Sequence, residues 1–188
     1  MEEFNAFNPE ALALHGQDPY SHDPIAGLEV KVARKRSECA NAIPEPWRLP
    51  KAVWESLKLP LDKSKNNLME LDVVRLSGIL TEAEIQITES YDVPTLLEKL
   101  GSGDLSSVEV TRAFSKRAAI AQQLTNCLTE TFFGQAETFF GQAETRAREL
   151  DALRESGKLA GPLHGLPISF KDTLRVTGTQ ADEANNCQ

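Results

Sequence analysis

The chain has 188 residues, 40% hydrophobic and 26% charged. That suffices for one globular domain with room for a loose arm. A net charge of −8 and a pI near 5.0 argue against nucleic acid or an anionic membrane as the main partner. No stretch approaches the ~18 apolar residues of a membrane span. The acidic start Met1-Glu2-Glu3-Phe4 is not followed by an apolar run, so no secretory signal peptide is expected. Cys39, Cys127 and Cys187 are odd in number and form no CxxC pair, which favours reduced thiols in a cytoplasmic setting.

Seven of the ten prolines lie in residues 1–60. Proline removes a backbone donor and blocks helix continuation, so residues 1–60 read as a proline-rich arm with short helices. Residues 1–30 are expected to be poorly regular, with a short helix at Pro9–Leu14. Lys31–Cys39 reads as a basic helix ending before Pro44. Trp47-Arg48-Leu49-Pro50 and Val53-Trp54 read as an extended strap with two aromatic anchors. Leu61–Leu71 is polar, apart from Leu68 and Met69, and reads as loop. His15 and His22 with Asp18 and Asp23 lie in the arm, and a solvated loop explains them better than a metal site.

From Thr81 the pattern turns helical. Thr81-Glu82-Ala83-Glu84 can cap a helix that continues through Ile85. Asp92-Val93-Pro94-Thr95 opens a second helix, Thr95–Leu100, closed at Gly101. Ser106-Ser107-Val108-Glu109 is a capping box. The helix behind it carries Val110, Ala113, Phe114, Arg117, Ala121 and Leu124 on one stripe of 3.6-residue period. A long helix is then expected over Leu128–Leu153. It contains a duplication: Glu130–Ala136 recurs as Glu137–Ala143. A seven-residue insertion lengthens a helix by roughly 10 Å and rotates its far end by only ~20°. Gly134 and Gly141 each weaken it by about 1 kcal/mol.

After a turn at Ser156-Gly157-Lys158 and Gly161-Pro162, Leu166–Phe170 is an apolar run suited to a buried strand. Val176-Thr177-Gly178 ends a second candidate strand. Lys171 closes the first run. An ammonium at the end of a buried strand is either paired or deprotonated. The residues alone leave both readings open: a salt-bridged or snorkelling lysine, or a base. His164, between glycine-rich turns, reads as a loop residue. No phosphate-binding GxxxxGK[ST] string, HExxH, SxxK or GxSxG occurs, and no cofactor or metal is expected.

The string Gly161-Pro162-Leu163-His164-Gly165-Leu166-Pro167-Ile168-Ser169-Phe170-Lys171-Asp172 resembles the start of the amidase signature family. The resemblance runs from about Tyr91 to Gly178 and is strongest to fungal acetamidase-like members. It includes Ser107-Val108-Glu109-Val110-Thr111 and Asn126-Cys127-Leu128-Thr129-Glu130. Arg75–Thr81 and Trp47-Arg48-Leu49 are similar as well. It implies a layered α/β/α fold of the α/β class. This chain would hold its N-terminal, mostly helical part plus one or two strands, within residues 61–188, and a divergent tail over 179–188.

The resemblance further implies hydrolysis of carbon–nitrogen bonds in small carboxylic amides by a Ser–Ser–Lys triad, with Lys171 as the catalytic base and a small amide as substrate. In the family both serines and the glycine-rich oxyanion loop follow the lysine, and one serine sits on a strained cis peptide, a feature costing ~3–4 kcal/mol. No Gly-Gly-Ser-Ser-Gly string occurs here. Ser106 and Ser107 lie at a helix cap, and Ser169 does not match a catalytic position. Residues 1–188 are therefore expected to be inactive and marginally stable alone. The alternative is an inert helical fragment that binds a full-length paralogue or itself. A third reading, an unrelated helical adaptor, would make the Gly161–Asp172 string a coincidence.

Overall fold

The structure is a computed structural model and describes residues 24–61, 63–128 and 139–171. The chain divides into two units, Met1–Asn41 and Ala42–Gln188. Residues 42–60 thus fall with the second unit.

In the first unit, α1 spans Pro24–Asn41. It begins earlier than the expected Lys31 because Pro24 stands at the first helical position, where its missing N–H costs no hydrogen bond. Arg34 and Glu38, one turn apart, pair at 3.5 Å. The expected Pro9–Leu14 helix, and the histidines and aspartates of the arm, lie outside the described residues.

The second unit starts at Ala42. The expected extended strap is mostly helical: a 3₁₀ turn at Glu45–Trp47, then α2 at Lys51–Ser56. Pro44 and Pro50 each stand immediately before a helical turn. Each keeps its carbonyl for that turn, which accepts from Trp47 N–H at 2.8 Å and Val53 N–H at 3.0 Å. The prolines thus start turns here rather than prevent them. What stays extended is held from afar. The Gln123 side chain accepts the Leu49 N–H and donates to the Trp47 carbonyl, both at 2.9 Å.

Leu61–Leu71 is irregular over its described residues, as expected. Met69 is exposed, whereas Leu68 and Leu71 pack on the core. A short helix not foreseen in the sequence, α3 (Val73–Ser77), follows and stops at Gly78 in the left-handed conformation.

Three helices then form as the sequence directs. α4 (Glu82–Glu89) has the Thr81/Glu84 capping box. α5 (Val93–Ser102) has Asp92 accepting from Thr95 N–H. It ends at Gly103 rather than Gly101, because Gly103 is the residue with a positive φ, +87°. α6 (Ser107–Thr125) has the Ser106/Glu109 capping box and ends at Asn126, also left-handed. Leu128 N–H then bonds the Gln122 side chain at 2.7 Å. Of the expected Leu128–Leu153 helix, Leu128 is not helical, residues 129–138 lie outside the described residues, and the remainder is helical. The following helix, α7, is described over Phe139–Glu155. The first copy of the duplicated heptad lies outside the described residues.

α6 is the central element. Its Ile120 joins Leu49, Val53, Leu57, Val73 and Ile85 in one core cluster. Its Val110 and Ala113 join Ile87, Leu96 and Leu100 in a second. Its Ala119 packs on Ile43 in a third. Of the expected stripe, Val110 and Ala113 are buried, while Phe114, Arg117, Ala121 and Leu124 are half-buried. Ser115, Ala119, Ile120 and Gln122 are buried as well, so α6 is covered on more than one face.

The described residues contain no strand. The expected buried strand Leu166–Phe170 is irregular, and Ile168–Lys171 is exposed. A strand is made by the ladder it joins, and no described segment offers one here. The second expected strand, at Val176–Gly178, lies outside the described residues.

Candidate active site

The segment that carries Lys171 leaves the helical body at one corner, and that corner is built in layers. α7 ends with a Schellman closure. Gly157, at φ +80°, donates to the Arg154 carbonyl at 2.8 Å, and Lys158 N–H reaches back to Leu153 at 3.2 Å. The chain then folds into two tight turns, His164 N–H to Gly161 O and Leu166 N–H to Leu163 O, both at 3.2 Å.

His164 is 5% exposed, and its Nδ1 accepts the Ala160 N–H at 3.1 Å. Gly165 has φ +75°, and a Cβ there would overlap the Ser107 hydroxyl and touch Leu100. Glycine is therefore required on two counts, conformation and space. Leu166 packs on the α5–α6 core cluster.

The base of this corner is the N-terminus of α6. Its first N–H groups have no partner within the helix. Ser106 Oγ takes that of Glu109 at 3.1 Å. Asp151, from α7, takes those of Ser107 and Val108 at 2.6 and 3.2 Å. A carboxylate against a helix N-terminus is favoured by the peptide dipoles as well. Ser107, 1% exposed, has a hydroxyl without a protein partner, as does His164 Nε2.

Beyond Leu166 the packing stops. Ile168 is 54% and Phe170 66% exposed. Lys171 is exposed, and its amine has no partner among the described residues. The expectation that it closes a buried strand is thus corrected: nothing described covers this segment. Asp172 and the following residues are outside the described set. Ser106 caps α6, Ser107 is its first residue, and Ser169 is exposed.

Sequence reasoning missed Asp151, and it treated His164 as an ordinary loop residue. Asp151 has no local signal, because the N–H groups it caps lie more than forty residues upstream. His164 had one: a histidine between residues that turn the chain inward. Among the described residues no cluster of metal-binding side chains occurs, and no helix is long and apolar enough to cross a membrane.

The family model described as Amidase matches residues 109–185. The chain is 48% identical over 151 residues to an acetamidase of Emericella nidulans, covering 80% of this chain and 24% of that protein. It is 42% identical over 148 residues to an amidase of Gibberella moniliformis, covering 78% of this chain and 26% of that one. An acetamidase of Aspergillus oryzae is 42% identical over 158 residues, covering 84% of this chain and 25% of its own length. Among solved structures, a fatty acid amide hydrolase superposes with a TM-score of 0.58 at 36% identity, over 76% of this chain and 23% of that chain. The chain thus spans about a quarter of the length of the relatives it matches. The glycine-bracketed corner and Lys171 lie within the residues that the family model matches, and the chain belongs to the amidase signature family.

Proposed function

We propose that this chain supplies the N-terminal part of an amidase that hydrolyses the carbon–nitrogen bond of small carboxylic amides, with Lys171 as the base of a Ser–Ser–Lys triad. The observation that carries this reading is the Gly161–Asp172 string, which lies inside the family match and contains Lys171.

The chemistry is a proton relay. A lysine amine in its neutral form takes the proton of a bridging serine, which takes that of the nucleophilic serine. The nucleophile's Oγ bonds to the carbonyl carbon as the C=O electron pair moves onto oxygen. Collapse breaks the C–N bond while the proton returns, by the same relay, to the leaving nitrogen. Water then releases the acyl group as a carboxylic acid. Residues 1–188 hold the lysine but no Gly-Gly-Ser-Ser-Gly string, so the serine half is to be met outside them. The cysteine usage favours a reducing, cytoplasmic setting for the enzyme.

The test is ammonia release from acetamide and its short homologues by the native gene product, at whatever length the cell makes it. Blotting with an antibody to residues 91–125 and mass-mapping the band establishes that length. Lys171→Ala is expected to lower kcat by at least ~10³-fold. Undiminished turnover in that variant overturns the role of Lys171. Turnover by residues 1–188 alone overturns the placement of the serines.

A second reading is a catalytically inert fragment that docks on a full-length paralogue. The exposed Leu163, Ile168 and Phe170 favour it. Co-purification with a paralogue, lost on Phe170→Ser, would support it.

A further inference from the structure

The Gly161–Leu166 turn is held from inside by one side chain. His164 is buried, and its Nδ1 accepts the N–H of Ala160, four residues upstream. That bond closes the entrance of the loop on its own middle. The His164 N–H bonded to Gly161 O tightens the first turn, and Gly165 lays the backbone against Ser107 and Leu100. A nitrogen that accepts carries no proton, so the ring in this arrangement is the neutral tautomer with its hydrogen on Nε2. Nε2 is itself buried with no protein partner, so the single acceptor contact at Nδ1 is the polar interaction that orients the ring.

Beyond this clamp, Ile168–Lys171 is exposed. The direction in which that segment departs is therefore set at the corner, by the ring and by the Leu166 anchor. We propose that His164 is a positioning residue for Lys171: its neutral imidazole locks the Gly161–Leu166 turn onto the α5–α6 corner through the Ala160 N–H, and so fixes where the lysine-bearing segment leaves the body. This rests on the amidase reading for the importance of Lys171, but the contact itself is read without turnover.

The experiment uses the full 188-residue chain labelled with nitrogen-15. Long-range imidazole correlations report the tautomer. Amide exchange at Ala160 reports the clamp. The heteronuclear NOE at Ser169, Phe170 and Lys171 reports order in the delivered segment. Two variants separate an acceptor from a space-filler. His164→Asn places its Oδ1 one bond from Cγ, where Nδ1 stood. His164→Leu keeps apolar bulk and has no acceptor.

The expected result is an unprotonated Nδ1 and a protected Ala160 amide. Exchange at Ala160 should rise about tenfold or more in His164→Leu, the scale of one lost hydrogen bond, with a lower NOE at Ser169–Lys171. His164→Asn should recover both. A merely packed ring predicts the reverse order, with leucine close to the unaltered chain and asparagine worse, and that order overturns the proposal. So does a protonated Nδ1, or an unchanged NOE at Ser169–Lys171 in His164→Leu. The tautomer is read on the unaltered chain, so it decides even where a variant fails to fold. If Lys171→Ala retains activity, the amidase role of Lys171 fails while these readouts stand. If these readouts fail, the turnover test is untouched.

Discussion

Asp151 on α7 accepts the backbone N–H of Ser107 at the start of α6, at 2.6 Å, across 44 residues of sequence. Its second oxygen takes the neighbouring Val108 N–H at 3.2 Å. The two longest helices of the second unit are thus joined by a cap, not only by apolar contact. Ser107 is buried, so water cannot easily replace the carboxylate. Asp151→Ala is expected to cost about 1–3 kcal/mol, since it strands buried donors. Asp151→Asn, which keeps an acceptor, should cost less. Urea unfolding followed by far-UV circular dichroism measures both, and equal stability of Asp151→Ala and the unaltered chain would count against the cap.

Gly165 is the residue where the corner tolerates no side chain. At φ +75° an L-residue is strained, and a Cβ would overlap the Ser107 hydroxyl. Gly165→Ala is expected to lose about 1–3 kcal/mol. Adding Ser107→Ala removes the overlap but not the strained φ. The double variant should therefore regain part, not all, of the loss, and a strictly additive cycle would show that the two residues do not meet.

Acid should loosen the junction of α4 and α6. Burial pushes the Glu84 carboxyl up, but hydrogen bonds from Lys116 and Thr81, and the Lys116 charge, outweigh it and hold it below the usual glutamate value. Glu89 is held low by hydrogen bonds from Arg117 at 2.9 Å and Arg75 at 2.8 Å. Asp92 is held low by its bonds from Thr95 at the α5 cap. A carboxyl whose folded value is depressed stabilises the fold above its unfolded value and loses that contribution as pH falls through the folded one. The urea midpoint is thus expected to fall as pH drops through and below the ordinary carboxylate range near 4. Glu84→Gln should flatten that acid limb, and an acid limb of unchanged steepness would exclude Glu84 as a contributor.

Gln123 ties the Trp47–Leu49 segment to α6 through two hydrogen bonds of 2.9 Å. Gln123→Leu keeps the size and removes both, at an expected cost of about 1–2 kcal/mol. Tryptophan fluorescence reads this segment directly, because Trp47 and Trp54 are the two tryptophans of the chain. A red-shifted emission is expected in the variant, and unchanged emission and stability would show that packing alone holds the segment.

The features legible in the sequence were those whose partners are close along the chain. The Thr81/Glu84 and Ser106/Glu109 boxes and the Asp92 cap need only residues three apart, so spacing alone announces them. The glycine-bracketed string that carries the family likeness is also local. What the sequence did not disclose were contacts whose partners are distant: Asp151 on Ser107, Gln123 on Leu49, Gly165 against Ser107. Nothing in the composition of one segment names its partner in another. The Trp47–Trp54 stretch shows the same limit in a milder form, since proline both breaks a helix from within and begins one, and position decides which. Leu166–Phe170 shows it most plainly. Its apolar run has the pattern of a strand, but a strand exists only in a ladder, and whether a neighbour stands beside it is decided by tertiary structure.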